Sequence, residues 1–382
     1  MAFSGNPGFG LYVHWPFCLA KCPYCDFNSH VGGTVDSDEW LRAFLSELDY
    51  FAGRVDSPVL SSIFFGGGTP SLMDPTVVEG VITAATSRFR TVNDLEVTLE
   101  ANPTSVEAGR FRAFRAAGVN RVSIGVQALN DADLAALGRR HSVAEAISAI
   151  GLSREIFERS SFDLIYARQN QSLTQWESEL SRALGLAGDH LSLYQLSIEE
   201  GTAFFDRRAR GGLRGLPDED LQADLFEMTQ VMTEAAGLPA YEISNHARPG
   251  SESRHNFIYW RGGQWLGIGP GAHGRLGVGS ARVATATLPG PQAWLAQVRD
   301  RGHGLVSDES LSGQDVDIEY LMMGLRLAEG VDLDQLGVVR LGSEVDDLVS
   351  SGHLRRTGSR LSVTAFGRPV LNAILGELLA RV

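Results

Sequence analysis

The chain has 382 residues, 43% of them hydrophobic and 21% charged, with a formal net charge of −13. This is the make-up of a globular protein with room for two or three units at roughly 100–200 residues each, and it excludes disordered and fibrous classes. The acidic excess argues against nucleic acid as a partner, and no uncharged apolar run nears the ~20 residues of a bilayer span, so no integral membrane segment and a cytoplasmic location are expected.

In chain order, the first apolar run is LYVHWPF at 11–17, a predicted strand that leads into Cys18-Leu-Ala-Lys-Cys22-Pro-Tyr-Cys25. These three cysteines are the whole cysteine content of the chain. An odd set so tightly spaced is a poor disulfide framework and a good metal-binding one, which implies a reducing compartment. Three soft thiolates on one loop suit an iron–sulfur cluster or zinc. Zinc wants a fourth ligand, for which His14 and His30 are nearest; plain buried cysteines are the third reading.

Residues 38–51 then place Trp40, Leu41, Phe44, Leu45 and Leu48 on one helical face. The strand SSIFFGGG at 61–68 runs into Gly66-Gly67-Gly68-Thr69-Pro70, a tight turn whose small residues also let backbone approach a ligand. Further strands follow at 95–101, 121–127, 162–167 and 190–198. A helix at 172–186 carries Trp176, Leu180 and Leu184 behind Ser172 as N-cap. Alternating strands and helices predict a mainly parallel sheet, either an open, partial (β/α)6 TIM-like barrel or a doubly wound sheet. Cys18, the Gly66–Thr69 turn, Glu100, Gln127 and Asp163 all fall at strand ends, where barrels of this class gather their chemistry.

After about residue 245 the texture changes. A glycine-rich stretch from Gly262 to Gly279 and a Pro and Gly cluster at 289–291 are expected to form a crossover or linker over 246–305. From 306 to 382 a small separate unit is expected, with helices at 318–330 and 341–354, a hairpin near LRRTGSRLSVT and a final helix, in a winged-helix-like arrangement. The core unit is then 1–245.

CxxxCxxC after YVHWPF, with Tyr24 just before the last cysteine, resembles the radical SAM superfamily. The resemblance implies a [4Fe-4S] cluster on Cys18, Cys22 and Cys25 whose open iron binds S-adenosylmethionine (SAM), the cofactor that carries radical chemistry there. It also implies SAM contacts from Gly67, Gly68 and Thr69 at the methionine end and from Glu100 and Gln127. Tyr12, Tyr24, Arg139 and Asp163 fall on matching positions. A carboxylate accepts from two ribose hydroxyls and an amide both donates and accepts, so the residue types suit the ligand. Without the resemblance, Glu100 and Gln127 read as solvated strand ends and Arg139 as a helix-end charge beside Arg140.

The segments YVHWPFC, FFGGGTPS, LEANP, RVSIGVQ, DLIY, SIEEGT and GIGPGAH, in this order, are similar to the HemN-like branch over nearly the whole chain. That branch holds oxygen-independent coproporphyrinogen III dehydrogenases and heme chaperones. Phe27 stands where the dehydrogenases carry an additional cysteine, and only eleven residues precede Tyr12, where they carry a long extension. His255-Asn256-Phe257-Ile258-Tyr259-Trp260 matches the HNxxYW signature of the chaperones. The resemblance therefore implies heme as cargo and acceptor hemoproteins as partners. His255 becomes a candidate heme-iron ligand, with Tyr259 and Trp260 as flat apolar surface.

On their own these residues read as a capped turn and core packing. His273 in GPGAHG is a further candidate near SAM; His14, His141, His190, His246, His303 and His353 are expected to be structural. Pairing into a homodimer is left open. Relatives continue DLIY as GLPGQT, whereas this chain has Ala167-Arg168-Gln169-Asn170-Gln171, so that loop is expected to be rebuilt.

Overall fold

The computed structural model describes residues 7–32, 35–104 and 108–380. Six strands run parallel: β1 (Phe9–Trp15), β2 (Val59–Gly67), β3 (Arg90–Ala101), β4 (Arg121–Gln127), β5 (Arg159–Tyr166) and β6 (His190–Gln195). Between and after them lie helices α1 (Ser37–Ala52), α2 (Pro75–Arg88), α3 (Phe111–Ala116), α4 (Asp131–Ala136), α5 (Val143–Ile156), α6 (Leu173–Leu186), α7 (Ala203–Ala209) and α8 (Glu219–Ala235). Helix starts follow local chemistry. Ser172 accepts from Gln175 N while the Gln175 side chain reaches back to the Ser172 backbone, a capping box that starts α6.

Side chains alternate between the two faces of each strand. Leu11, Val13, Ile63, Phe65, Val97, Leu99, Val122, Ile124, Leu164, Leu191 and Leu193 enter one core with Trp40, Phe44 and Leu48 of α1 and Trp176 and Leu180 of α6. Residues of the other parity are polar or aromatic and meet one another. Ser123 Oγ hydrogen-bonds Ser161 Oγ at 3.0 Å and donates to Asp163 Oδ1 at 3.2 Å, and the Tyr12 ring stacks on Phe64 with centroids 6.3 Å apart. A doubly wound sheet would need apolar residues on both faces. A polar inner face and one helical layer belong to the partial barrel instead.

The 246–305 stretch differs from the expected linker. After β7 (Asn245–Ala247) and α9 (Arg254–Trp260), β8 (Gln264–Ile268) pairs parallel with β1, and β9 (His273–Val278), β10 (Ala281–Thr287) and β11 (Leu305–Ser310) add antiparallel strands. Helix α10 (Pro291–Arg301) lies between the last two. The sheet order is β11-β10-β9-β8-β1-β2-β3-β4-β5-β6-β7. Its glycines serve close backbone approach. A Cβ at Gly267 would stand 2.1 Å from His273 O, and one at Gly269, whose φ is +98°, would stand 2.4 Å from His14 O.

Glu47 of α1 ties this extension to the barrel. Its carboxylate accepts from Gly269 N and Gly304 N, both at 2.7 Å, and from Trp294 Nε1 at 3.0 Å. Burial pushes its pKa up to about 7 although three N–H groups donate to it. Replacing Glu47 by Ala leaves all three donors buried and unpaired, and chemical denaturation is expected to register a loss of about 3–5 kcal/mol.

The C-terminal stretch has a core of its own, including Leu321, Val331, Leu348, Leu361 and Leu378. Helices α11 (Gly313–Gly324), α12 (Ser343–Ser350) and α13 (Leu371–Leu379) surround three short antiparallel strands at 331–332, 360–363 and 354–357.

Candidate functional site

The cysteine loop leaves β1 and is pinned at both ends, because Phe17 and Cys18 pair in parallel with His30 and Val31. Inside it, Cys25 N donates to Cys22 O at 3.1 Å, a turn that puts two thiols on one short arc. Each sulfur has a polar neighbour. Thr69 Oγ1 donates to Cys18 Sγ at 3.3 Å, Arg139 Nη1 donates to Cys22 Sγ at 3.5 Å, and Ser29 Oγ lies 3.9 Å from Cys25 Sγ. Burial pushes the Cys18 and Cys25 thiols up. Metal coordination reverses that preference and holds them as thiolates.

The neighbouring histidines are engaged elsewhere. His14 Nδ1 meets Tyr12 OH at 3.0 Å and His14 Nε2 meets Asn28 O at 2.9 Å, while His30 Nε2 meets Asn28 Oδ1 at 3.0 Å. Among the described residues no three His, Cys, Asp or Glu side chains converge as a single-ion site. Three cysteines with both nearby histidines hydrogen-bonded elsewhere fit a cluster held by three thiolates and lack the fourth ligand of a closed zinc site.

The turn after β2 abuts this loop. Gly68 N donates to Trp15 O at 2.7 Å and Thr69 N to Phe17 O at 2.9 Å, and a Cβ at Gly68 would stand 2.8 Å from Phe17 O. Gly67, at φ +109°, donates its N–H to Glu100 Oε2 at 3.2 Å. Burial, and then the charge of Asp163, push the Glu100 carboxyl up to about 8; burial pushes Asp163 up to about 6. Asp163 accepts from Ser123 Oγ, whereas Glu100 accepts from the Gly67 backbone.

Gln127 closes β4 at φ +73°, an uncommon backbone state for a non-glycine residue. Its Oε1, like Arg139 Nε, is buried with no partner among the described residues. Such orphaned atoms and acceptor-rich carboxyls match a ligand that brings hydroxyl and ammonium donors and carboxylate oxygens. The Tyr12 hydroxyl stays neutral through burial, as does that of Tyr24, whose ring packs on Phe204.

Asn102 was not anticipated, although it lies two residues past Glu100 in LEANP. It donates to Thr69 Oγ1 at 3.1 Å and accepts from Arg139 Nη2, joining the glycine turn to the Cys22 donor. No sequence signal pointed to Ser123, Asn28 or Arg121, whose charge lowers the pKa values of Glu100 and Asp163.

The structure does not bring His255 to this mouth. It is 1% exposed, Nδ1 hydrogen-bonds Ser62 Oγ at 2.7 Å, and Nε2 hydrogen-bonds Tyr259 OH at 2.7 Å. Ser62 precedes Gly66 by four residues, about 13 Å along β2 toward the barrel floor. Both ring nitrogens have protein partners, so as placed His255 offers none to iron; it is a floor residue that couples α9 to β2. Burial drives its pKa down to about 3. Above pH 6.5 the ring is neutral in folded and unfolded chains alike; stability is lost as pH falls from 6.5 toward 3, where only the unfolded chain protonates. Thermal melts at pH 6.5 and pH 5 are expected to show a His255→Phe variant losing about 1.6 kcal/mol less over that interval than the parent.

The loop after β5 keeps a glycine-like backbone despite its changed sequence. Ala167 and Asn170, where relatives have glycine, both take φ +57°. Arg168 is buried and ion-paired to Glu179 and Asp133, which holds the loop without the proline.

A profile described as the radical SAM superfamily matches residues 12–180. The Bos taurus protein named radical S-adenosyl methionine domain-containing protein 1, mitochondrial, is 38% identical, covering 99% of this chain and 89% of that one. The Escherichia coli K12 protein named heme chaperone HemW is 36% identical over 98% of this chain and 99% of its own. A Mycobacterium tuberculosis protein of that name is also 36% identical, covering 98% and 95%. Among solved structures, Escherichia coli coproporphyrinogen III oxidase HemN, described as a radical SAM enzyme, superposes with a TM-score of 0.81 at 22% identity, covering 99% and 91%. That likeness concerns the fold.

Proposed function

Because this chain belongs to the radical SAM superfamily, we propose that it is a heme chaperone: it holds a [4Fe-4S] cluster on Cys18, Cys22 and Cys25, binds SAM, takes up heme and passes it to acceptor hemoproteins. The observation that carries this reading is the near-complete coverage, at 36% identity, of proteins named heme chaperone HemW. Phe27 supports it, since the dehydrogenases of the resembling branch carry a cysteine at that place.

In this reading the cluster, when bound, supplies an iron with an open coordination position. The chain's own residues do the rest. Thr69, Arg139 and Ser29 stabilise thiolate charge at the three sulfurs. Glu100 would accept from ribose hydroxyls, Gln127 would offer its unpartnered Oε1, and the Gly67–Thr69 backbone would hold the methionine end. Tyr12, Tyr24, Arg139 and Asp163 complete the wall.

Anaerobically reconstituted protein is to be titrated with hemin, then mixed with an apo-hemoprotein, and separately incubated with coproporphyrinogen III, SAM and reductant. Saturable heme binding, heme transfer and an unchanged porphyrinogen are expected. Decarboxylated porphyrinogen would replace the chaperone reading with that of a radical dehydrogenase.

A further inference from the structure

Beside the cysteine loop a groove of about 560 Å³ opens between residues 21–30 and the turn that joins β8 to β9, lined by Lys21, Phe27, His30, Gly271, His273 and Pro289. Its two walls are tied together, because Asn28 Nδ2 donates to Pro270 O at 2.9 Å and to Pro289 O at 3.0 Å. Phe27 lines the groove and is 58% exposed, and Leu19 and Val31 of the same cysteine loop are 57% and 66% exposed, brought to one edge by the pairing of Cys18 with Val31. A cluster of large exposed side chains within thirteen residues marks a binding surface better than it marks a solvated loop.

Resting on the chaperone reading above, we propose that this groove is the heme seat, with the His273 imidazole as axial ligand to the iron, Phe27 against a porphyrin face and Lys21 toward the propionates.

Three observations support the assignment. His273 heads β9, and its ring has no hydrogen-bond partner among the described residues, in contrast to His14, His30 and His255. The strand is held there, since Trp265 Nε1 donates to His273 O at 2.9 Å. Partial burial, and then Arg275, lower the pKa of the ring, which keeps a nitrogen lone pair free at neutral pH. The groove volume also lies in the range of cofactor sites. Asp26 lines the groove as well, so Lys21 is its cationic side. A seat outside the barrel leaves the inner polar face to SAM and keeps heme where an acceptor protein can reach it.

The test uses full-length, cluster-loaded protein titrated with hemin and followed in the Soret region, with the parent, His273→Ala, His30→Ala and Phe27→Ala compared. His273→Ala is expected to lose the nitrogen-ligated spectrum and at least about tenfold in affinity. Added imidazole is expected to restore that spectrum, while cluster absorbance stays as in the parent. His30→Ala is expected to keep the spectrum, and Phe27→Ala to weaken binding without changing it. A His273→Ala protein that binds hemin with the parental spectrum and affinity overturns the assignment, as does loss of the ligand signature in His30→Ala instead. Failure of the parent to bind hemin sinks the chaperone reading itself, which is a different outcome.

Discussion

Replacing Cys22 by Ala is expected to bring iron and acid-labile sulfide in anaerobically purified protein close to background and to abolish the broad visible absorbance of an iron–sulfur centre. A three-cysteine loop has no spare ligand: these are the chain's only cysteines, and His14 and His30 are held by Tyr12 and Asn28. Losing one thiolate of three leaves two protein ligands, too few to retain a cluster of four irons. SAM binding is expected to fall with it, since the open iron is part of that site. Retention of iron at parental stoichiometry, or zinc in its place in the parent, would show that the cysteines serve another purpose. The same outcome is expected for Cys18 and Cys25.

Glu100→Gln is expected to separate SAM binding from cluster assembly. Among the described residues Glu100 accepts from Gly67 N and makes no hydrogen bond to a cysteine sulfur, and it lies buried near Asp163 with its carboxyl pushed up to about 8. Hydroxyl donors from a ribose favour the ionised carboxylate and lower that value, so ligand binding and deprotonation are linked. Removing the charge is expected to cost about 2–3 kcal/mol, or about 30- to 150-fold in the SAM dissociation constant, with iron content unchanged. The sign of the pH dependence follows: parental affinity is expected to rise as pH increases toward 8 and Glu100 ionises, and the Gln variant is expected to lack that rise. Calorimetric titration across this range checks both; equal affinities for parent and variant would remove Glu100 from the SAM wall.

The features of the site that were legible in the sequence share one property, which is that they are local. Three thiols within eight residues, a glycine turn following a strand and the Ser172 cap act over a few bonds. The strand periodicity likewise placed Glu100 and Gln127 at strand ends, whereas Asp163, expected at one too, lies inside β5. Tertiary structure alone decided what depends on which strands become neighbours. The glycines of 262–279 read as a linker because glycine raises chain entropy in isolation; beside His14 and His273 they are the residues that let backbones approach.

His255 shows the opposite error, for its motif suggested an available ligand. Packing against Phe64 and hydrogen bonds with Ser62 and Tyr259 engage both nitrogens. Residue type is written in the chain, but whether a donor or acceptor is already satisfied is set by partners distant in sequence, because a hydrogen bond reaches only about 3 Å. The sequence by itself determined the cysteine loop, the mainly parallel sheet and the chemistry these permit, and tertiary structure chose the partial barrel over the doubly wound sheet. The fold decided that Arg139 meets Cys22, that Asn28 ties the cysteine loop to Pro270 and Pro289, and that the His273 ring has no hydrogen-bond partner among the described residues.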